Sequence, residues 1–327
     1  MQIKYVWMSA ASVIGILCLV MITSLKITIR RKSSPIATLQ REAHIMHPIN
    51  CSDLKKTKKL HEVPSAKGIP KIIFQSYIPS SEDELSDSMK KAMNSFKILN
   101  PNYTHKYFGD DAALNILIEH FGNDSDEVFA FRNLIPGAFK IDFWRYAMLW
   151  LFGGFYADAD MLLMEPFEKW ISPNASFVIP LEKIGFGFHN GFIGSVPQHP
   201  IMRIAMDMVI YNVRSKFYPG VPNRIVPKVH ADLAVSGPVL LGKAINRYLN
   251  EPDEVQHNLS KIRSKNIQIL GFCANENKDE DTYYTQSLSR NCVGTKLAKV
   301  KFEQFQKEHE AKSSTYTKLF QERKVFL

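Results

Sequence analysis

The sequence predicts an α/β domain, with a layered, mixed and mostly parallel sheet flanked by helices, behind an N-terminal membrane-spanning helix. Three observations predict it. Short β-branched and aromatic runs alternate with helical-period stretches from residue 69 onward, which favours a layered α/β sheet. The segment Tyr5–Leu25 has no charged residue and is long enough to cross a bilayer. A pair of carboxylates, Asp158-Ala159-Asp160, follows a very short strand, where α/β sheets hold their ligands.

The anchor, residues 1–25, reads as uncleaved, because Lys26 to Lys32 offers no small-x-small cleavage site. Flanking charge opposes a lumenal body: Lys26, Arg30, Arg31 and Lys32 outnumber Lys4. Sequons at Asn50, Asn102, Asn123, Asn174 and Asn258 favour it. A Cys273–Cys292 disulfide would suit an oxidising lumen, against free buried thiols as the alternative. Residues 26–68 are rich in Lys, Ser, Thr and Pro and read as a basic stem. Of 41 Lys and Arg, 11 lie in residues 1–68 against 3 acidic residues, leaving 30 against 29 in the body. The basic excess belongs to the tail, which argues against nucleic acid as a partner.

Order is expected from Ile69 to Tyr77, a β-rich run between Gly68 and Pro79. A helix over Ser86–Leu99 follows, then a strand over Tyr103–Phe108, then a helix capped by Asp110 or Asp111 and running to His120. Ala138–Phe152 has helical spacing through Ile141, Trp144, Met148 and Leu151, with Gly153-Gly154 as its stop. Phe155-Tyr156-Ala157 is the strand that delivers the carboxylates. Phe177–Pro180 and Phe188–Val196 read as strands, His199–Phe217 and Asp232–Leu249 as helices, and the tail from Lys296 as a half-exposed helix. The body is thus 69–295, with 296–327 as a C-terminal helical extension.

Paired carboxylates at a strand edge suit a hard divalent ion such as Mn²⁺ or Mg²⁺, which can bridge to a diphosphate. Asp142 and Arg145, three apart on one helix face and 13 to 18 residues before the pair, can meet the same ligand, an ordinary surface ion pair being the competing reading.

The stretches Ile135-Pro136-Gly137-Ala138-Phe139-Lys140-Ile141-Asp142-Phe143-Trp144-Arg145-Tyr146 and Leu151-Phe152-Gly153-Gly154-Phe155-Tyr156-Ala157-Asp158-Ala159-Asp160 resemble the DXD sugar-binding region of glycosyltransferase family 32. That family includes fungal Golgi α-1,6-mannosyltransferases and inositol-phosphoceramide mannosyltransferases. Ile69-Pro70-Lys71-Ile72-Ile73 is similar to its opening strand, Asn190–Ser195 with His199-Pro200 to its middle block, and Ser236-Gly237-Pro238 to a later one. The resemblance implies a GT-A nucleotide-sugar-binding fold, Rossmann-like, and retaining transfer from a nucleotide-sugar donor to a glycan or glycolipid acceptor. GDP-mannose is the expected donor, with UDP-galactose or UDP-GlcNAc, or a non-catalytic sugar-binding role, as alternatives. It also implies a single-pass type II protein of the Golgi or ER membrane.

By position, Asp158 and Asp160 would serve the metal and diphosphate, and Asp142 and Arg145 the donor sugar. Tyr156 would line the pocket beside them. Gln75, Ser76 and Tyr77 would face the nucleotide, Asn190 the reacting sugar, and Ser236 and Gly237 the substrate. Phe74 stands where the family has a His before Gln, which leaves the third metal ligand open, with His189 and His230 as candidate substitutes and a structural histidine as the competing reading. The family's late His and Gly-Ser-Trp block is not evident after Gly271.

Overall fold

Ile73, Phe74, Gln75 and Ser76 are all buried, and the sheet grows outward from this segment, β1 (Ile72–Ser76). β2 (Thr104–Phe108) and β3 (Gly154–Ala157) lie parallel on its two sides. The structure is a computed structural model and describes residues 68–78, 81–182, 187–220, 228–275, 278–288, 291–300, 302–309 and 315–327. All fall in the second of the chain's two units, Leu60–Leu327. The expected anchor lies outside the described residues; among these, no helix is long and apolar enough to cross a membrane.

The remaining strands are β4 (Met161–Leu163), β5 (Phe177–Pro180), β6 (Phe192–Ser195), β7 (Ile267–Asn275), β8 (Lys278–Leu288) and β9 (Asn291–Val300). The order across the sheet is β2-β1-β3-β6-β5-β7-β8-β9-β4. The expectation of a mostly parallel sheet is corrected. Among the described residues only β1/β2, β1/β3 and β5/β7 pair parallel, while β3/β6, β5/β6, β7/β8, β8/β9 and β4/β9 pair antiparallel. The connections at 276–277 and 289–290 are too short for a crossover, so β7, β8 and β9 fold back on one another.

Register also decides the cysteines. Cys273 faces Thr282 on one side of β8, and Cys292 faces Ser287 on the other. The two positions differ by about 16 Å along the strand, against the roughly 7 Å between Cα atoms that a disulfide spans, so a Cys273–Cys292 bond is ruled out. Cys273 is nonetheless disulfide-bonded, and the side chains of the other three cysteines lie outside the described residues.

The helices are α1 (Asp87–Leu99), α2 (Asp110–Phe121), α3 (Asp126–Asn133), α4 (Gly137–Phe152), α5 (Pro200–Arg214), α6 (Pro238–Tyr248), α7 (Leu259–Arg263), α8 (Glu303–His309) and α9 (Thr315–Gln321). Ser86 caps α1 through a bond from Met89 N–H. Gly109, not an aspartate, is the N-cap of α2, and Asp110 and Asp111 occupy its first turn, where the helix dipole favours them. The expected helix from Asp232 begins only at Pro238, whose fixed φ suits a first helical position, and residues 228–234 form a 3-10 turn.

α4 is apolar on nearly every side and is buried accordingly, with Trp144, Tyr146 and Leu149 fully enclosed. Each large apolar side chain sealed this way contributes about 1.5–3 kcal/mol. The helix stops at Gly153 (φ +63°) and Gly154 (φ +95°). A Cβ at Gly153 would lie 2.6 Å from Pro197 Cδ, and one at Gly154 2.7 Å from the Ile72 carbonyl, so the turn from helix to strand admits only glycine.

The tail is not an extension. Residues 296–300 are the end of β9, paired with β4, and Val325 and Phe326 are buried in the core. Ile135 N–H donates to the Val325 carbonyl at 2.9 Å, and Leu327 N–H to that of Asn133 at 3.0 Å. The described residues 296–300 and 325–327 are thus part of the sheet and core.

Candidate active site

β3 ends at Ala157, and Asp158 is fixed from both sides of its own peptide. Its N–H donates to the Gly191 carbonyl at 2.8 Å, and its carbonyl accepts from Gln75 Nε2 at 3.3 Å. Gln75 is held in turn by His105 on β2, with Nε2 2.6 Å from Gln75 Oε1. Burial lowers the His105 pKa to about 4, so the ring is neutral at ordinary pH.

α4 carries Asp142 and Arg145 to the same place, three residues apart on one face. Arg145 Nη1 donates to the Asn190 carbonyl at 2.5 Å, and Nη2 lies 3.1 Å from Asp158 Oδ1 and 3.3 Å from Asp142 Oδ1. The guanidinium also sits 4.3 Å from the centre of the Tyr156 ring, whose hydroxyl donates to Asp158 Oδ1 at 2.8 Å. Burial alone would lower the Arg145 pKa, but Asp158, Tyr156 and Asp142 outweigh it, and the group stays charged. The surface ion-pair reading fails, since Asp142 is 8% and Arg145 5% exposed.

Asp142 is enclosed more completely than the sequence suggests. Oδ1 accepts from Asn190 Nδ2 at 2.8 Å and Oδ2 from Ser236 Oγ at 2.8 Å. Asn190 Nδ2 reaches the Tyr146 hydroxyl at 3.1 Å, and that hydroxyl donates to the Ser236 carbonyl at 2.7 Å. Burial raises the Asp142 pKa, opposed by Arg145 and the Ser236 bond. Gly237 N-caps α6, and a Cβ there would meet Asp142 Oδ2 at 3.5 Å.

A cavity of about 550 Å³ opens over this cluster, lined by Ser76, Tyr77, Arg145, Asp158 and Asp160. The expected site residues therefore divide. These five face the cavity, while Gln75, Asp142, Tyr156, Asn190, Ser236 and Gly237 stand behind them as the frame that holds Arg145 and Asp158. Ser76 Oγ donates to the Phe108 carbonyl at 2.7 Å, which ties the end of β1 to β2.

Among the described residues, His189 does not join the carboxylates in a ligand cluster. His189 Nδ1 is engaged by the Tyr283 hydroxyl and its ring lies 4.3 Å from that of Phe272, while the His230 side chain lies outside the described residues. Among the described residues no three His, Cys, Asp or Glu converge on one point. Two carboxylates still fit a hard ion that takes its remaining ligands from phosphate oxygens and water.

Sequence reasoning missed Tyr146, one turn beyond Asp142, and Gly191, beside Asn190. It also missed His105, Tyr283 and Tyr316, which long-range pairing brings in without any local signal. Gly191 is a requirement of the site: a Cβ there would lie 2.5 Å from Asp158 Oδ2.

Comparison with known proteins agrees with the resemblance drawn from the motifs. Residues 86–177 match the family model described as "Glycosyltransferase sugar-binding region containing DXD motif". The chain is 28% identical over 148 residues to the initiation-specific alpha-1,6-mannosyltransferase of Schizosaccharomyces pombe, covering 45% of this chain and 35% of that one. It is 31% identical over 134 residues to the uncharacterized glycosyltransferase L373 of Acanthamoeba polyphaga mimivirus, covering 41% and 52%. The chain thus spans between about a third and a half of the length of these relatives. Among solved structures it is similar to the PaToxG glycosyltransferase, at 17% identity and a TM-score of 0.40, over 66% of this chain and 92% of that one, a likeness too loose to carry an argument. Residues 86–177, with Asp158-Ala159-Asp160 at the end of β3, thus match a DXD sugar-binding region, and over that stretch the chain is similar to glycosyltransferase family 32.

Proposed function

We propose that the chain is a retaining glycosyltransferase with a GT-A fold, moving mannose from GDP-mannose to a glycan or glycolipid acceptor on the lumenal side of a secretory membrane. The observation that carries it is the Arg145–Asp158–Asp142 cluster, with Arg145 and Asp158 facing a cavity beside Asp160 and Asp142 buried behind them, inside the matched region. The similarity to the fission-yeast alpha-1,6-mannosyltransferase supports mannose as the sugar.

Asp158 and Asp160 would hold Mn²⁺ or Mg²⁺, which when bound neutralises charge on the departing diphosphate. Arg145 faces the cavity with a permanent charge and fixed donors, suited to the phosphate or sugar hydroxyls nearest it. Asp142 is a positioning residue, since both its oxygens already accept bonds from Asn190 and Ser236, and its contact with Arg145 aims the guanidinium. Ser76 and Tyr77, at the end of β1, face the donor from the other wall. This arrangement catalyses by placement and electrostatics, without a protein nucleophile.

The test is to offer the full chain GDP-mannose, UDP-galactose and UDP-GlcNAc, with Mn²⁺, Mg²⁺ or EDTA, and to measure release of nucleoside diphosphate. Metal-dependent turnover of GDP-mannose above the other two is expected. Turnover of none of them would leave the non-catalytic alternative.

A further inference from the structure

The cavity has two unlike linings, and the second draws on the C-terminal tail. Arg145, Asp158 and Asp160 supply charge, whereas Ile78, Pro136, Ala138, Tyr316 and Leu319 supply carbon. Gly137 and Arg145 both line it and are eight residues apart on α4, so it runs along about 12 Å of helix from its polar floor. α9 forms its wall beside the first turn of that helix, with the Tyr316 ring 5.6 Å from that of Phe139.

α9 is held there by specific bonds. Thr317 Oγ1 donates to Asp232 Oδ2 at 2.5 Å, and Asp232 is 3% exposed in the turn Lys228–Ala234. The Phe320 ring packs 5.4 Å from Tyr218. A few residues on, the same segment places Ser236 against Asp142. One stretch of chain therefore fixes both the tail helix and the frame of the charged floor.

Resting on the nucleotide-sugar reading, we propose that Tyr316 and Leu319 of the C-terminal helix bind the nucleoside half of the donor. A diphosphate held at Asp158 and Asp160 leaves the carbon-lined length of the cavity to the base and ribose. A flat heteroaromatic ring fits between apolar walls, one of them a tyrosine ring, better than a hydroxyl-covered sugar does. Burial pushes the Tyr316 phenol up to about 12, so it remains a hydrogen-bond donor at working pH.

The experiment measures binding of GDP, UDP and inorganic pyrophosphate, each with Mn²⁺, to the full chain and to Tyr316→Leu, Leu319→Ala and Asp158→Asn. Tyr316→Leu keeps apolar bulk in the wall, so it separates loss of the ring from loss of packing. The expected result is about tenfold weaker GDP and UDP binding for Tyr316→Leu, the loss of roughly one stacking contact, and at least threefold weaker for Leu319→Ala, the loss of an apolar contact, with pyrophosphate within about twofold of wild type in both. Asp158→Asn should weaken all three ligands. Nucleotide binding within twofold of wild type in both tail variants, with the Asp158→Asn loss intact, overturns the inference and leaves the nucleotide-sugar reading standing. Equal weakening of pyrophosphate by the tail variants also overturns it. Failure of the wild-type chain to bind either nucleotide overturns both.

Discussion

Arg145 is the residue on which the site turns, because among the described residues it alone touches Asp142, Asp158, Asn190 and the Tyr156 ring. Lysine cannot reproduce a planar fork that meets three oxygens at once. Arg145→Lys should lower kcat/KM for the donor at least tenfold, and Asp142→Asn should do the same by loosening its aim. Donor kinetics beside thermal unfolding would check this, and near-wild-type kinetics in both variants would return the pair to a structural role. Gly191→Ala tests the frame from another direction. The new methyl group would press on the Asp158 carboxylate, and we expect at least a tenfold loss of turnover with the fold retained by circular dichroism. Part of this was legible in sequence: the spacing grouped Asp142, Arg145, Asp158 and Asp160, of which the fold sets the last three on the cavity and Asp142 behind them. That Asp142 is enclosed was not legible, because its partners Asn190 and Ser236 arrive from segments 48 and 94 residues away.

Among the elements, α5 carries a pH-sensitive start. His199 is its N-cap, accepting the Ile201 N–H at Nδ1, while Nε2 is buried beside Phe177 without a hydrogen-bond partner among the described residues. Burial lowers its pKa to about 3 from an ordinary 6.5. The unfolded chain therefore takes up the proton first, and the stability that the neutral ring contributes is whole above about pH 6.5 and lost as the pH falls toward 3. The loss should reach about 2 kcal/mol between pH 7 and 5. Asparagine keeps the cap without a titrating ring, so thermal midpoints of His199→Asn should fall less than wild type over that interval; parallel curves would contradict the assignment. Most helices and the early strands could be read from periodicity and caps. β7, β8 and β9 could not, since a polar run such as Lys278-Asp279-Glu280-Asp281 becomes strand through pairing with its neighbours rather than through its own propensity.

For the whole molecule, the question is where the domain works and what it turns over. Asn102, Asn123, Asn174 and Asn258 are all exposed, so a lumenal domain would present each to the glycosylation machinery. We expect at least one to carry glycan when the full chain is expressed in a eukaryotic host, read as a mass shift removed by endoglycosidase. An unglycosylated body that protease digests in sealed microsomes would place it in the cytosol instead. The wider claim is that the β3 edge is a metal-assisted transfer site, and the most direct measurement is metal-dependent release of nucleoside diphosphate from the preferred nucleotide sugar by wild type, Asp158→Asn and Asp160→Asn. Wild type should turn over the donor with Mn²⁺ and stop in EDTA, and each variant should lose at least a hundredfold in rate while unfolding near the wild-type temperature. Undiminished release in either variant, or in EDTA, would contradict the account.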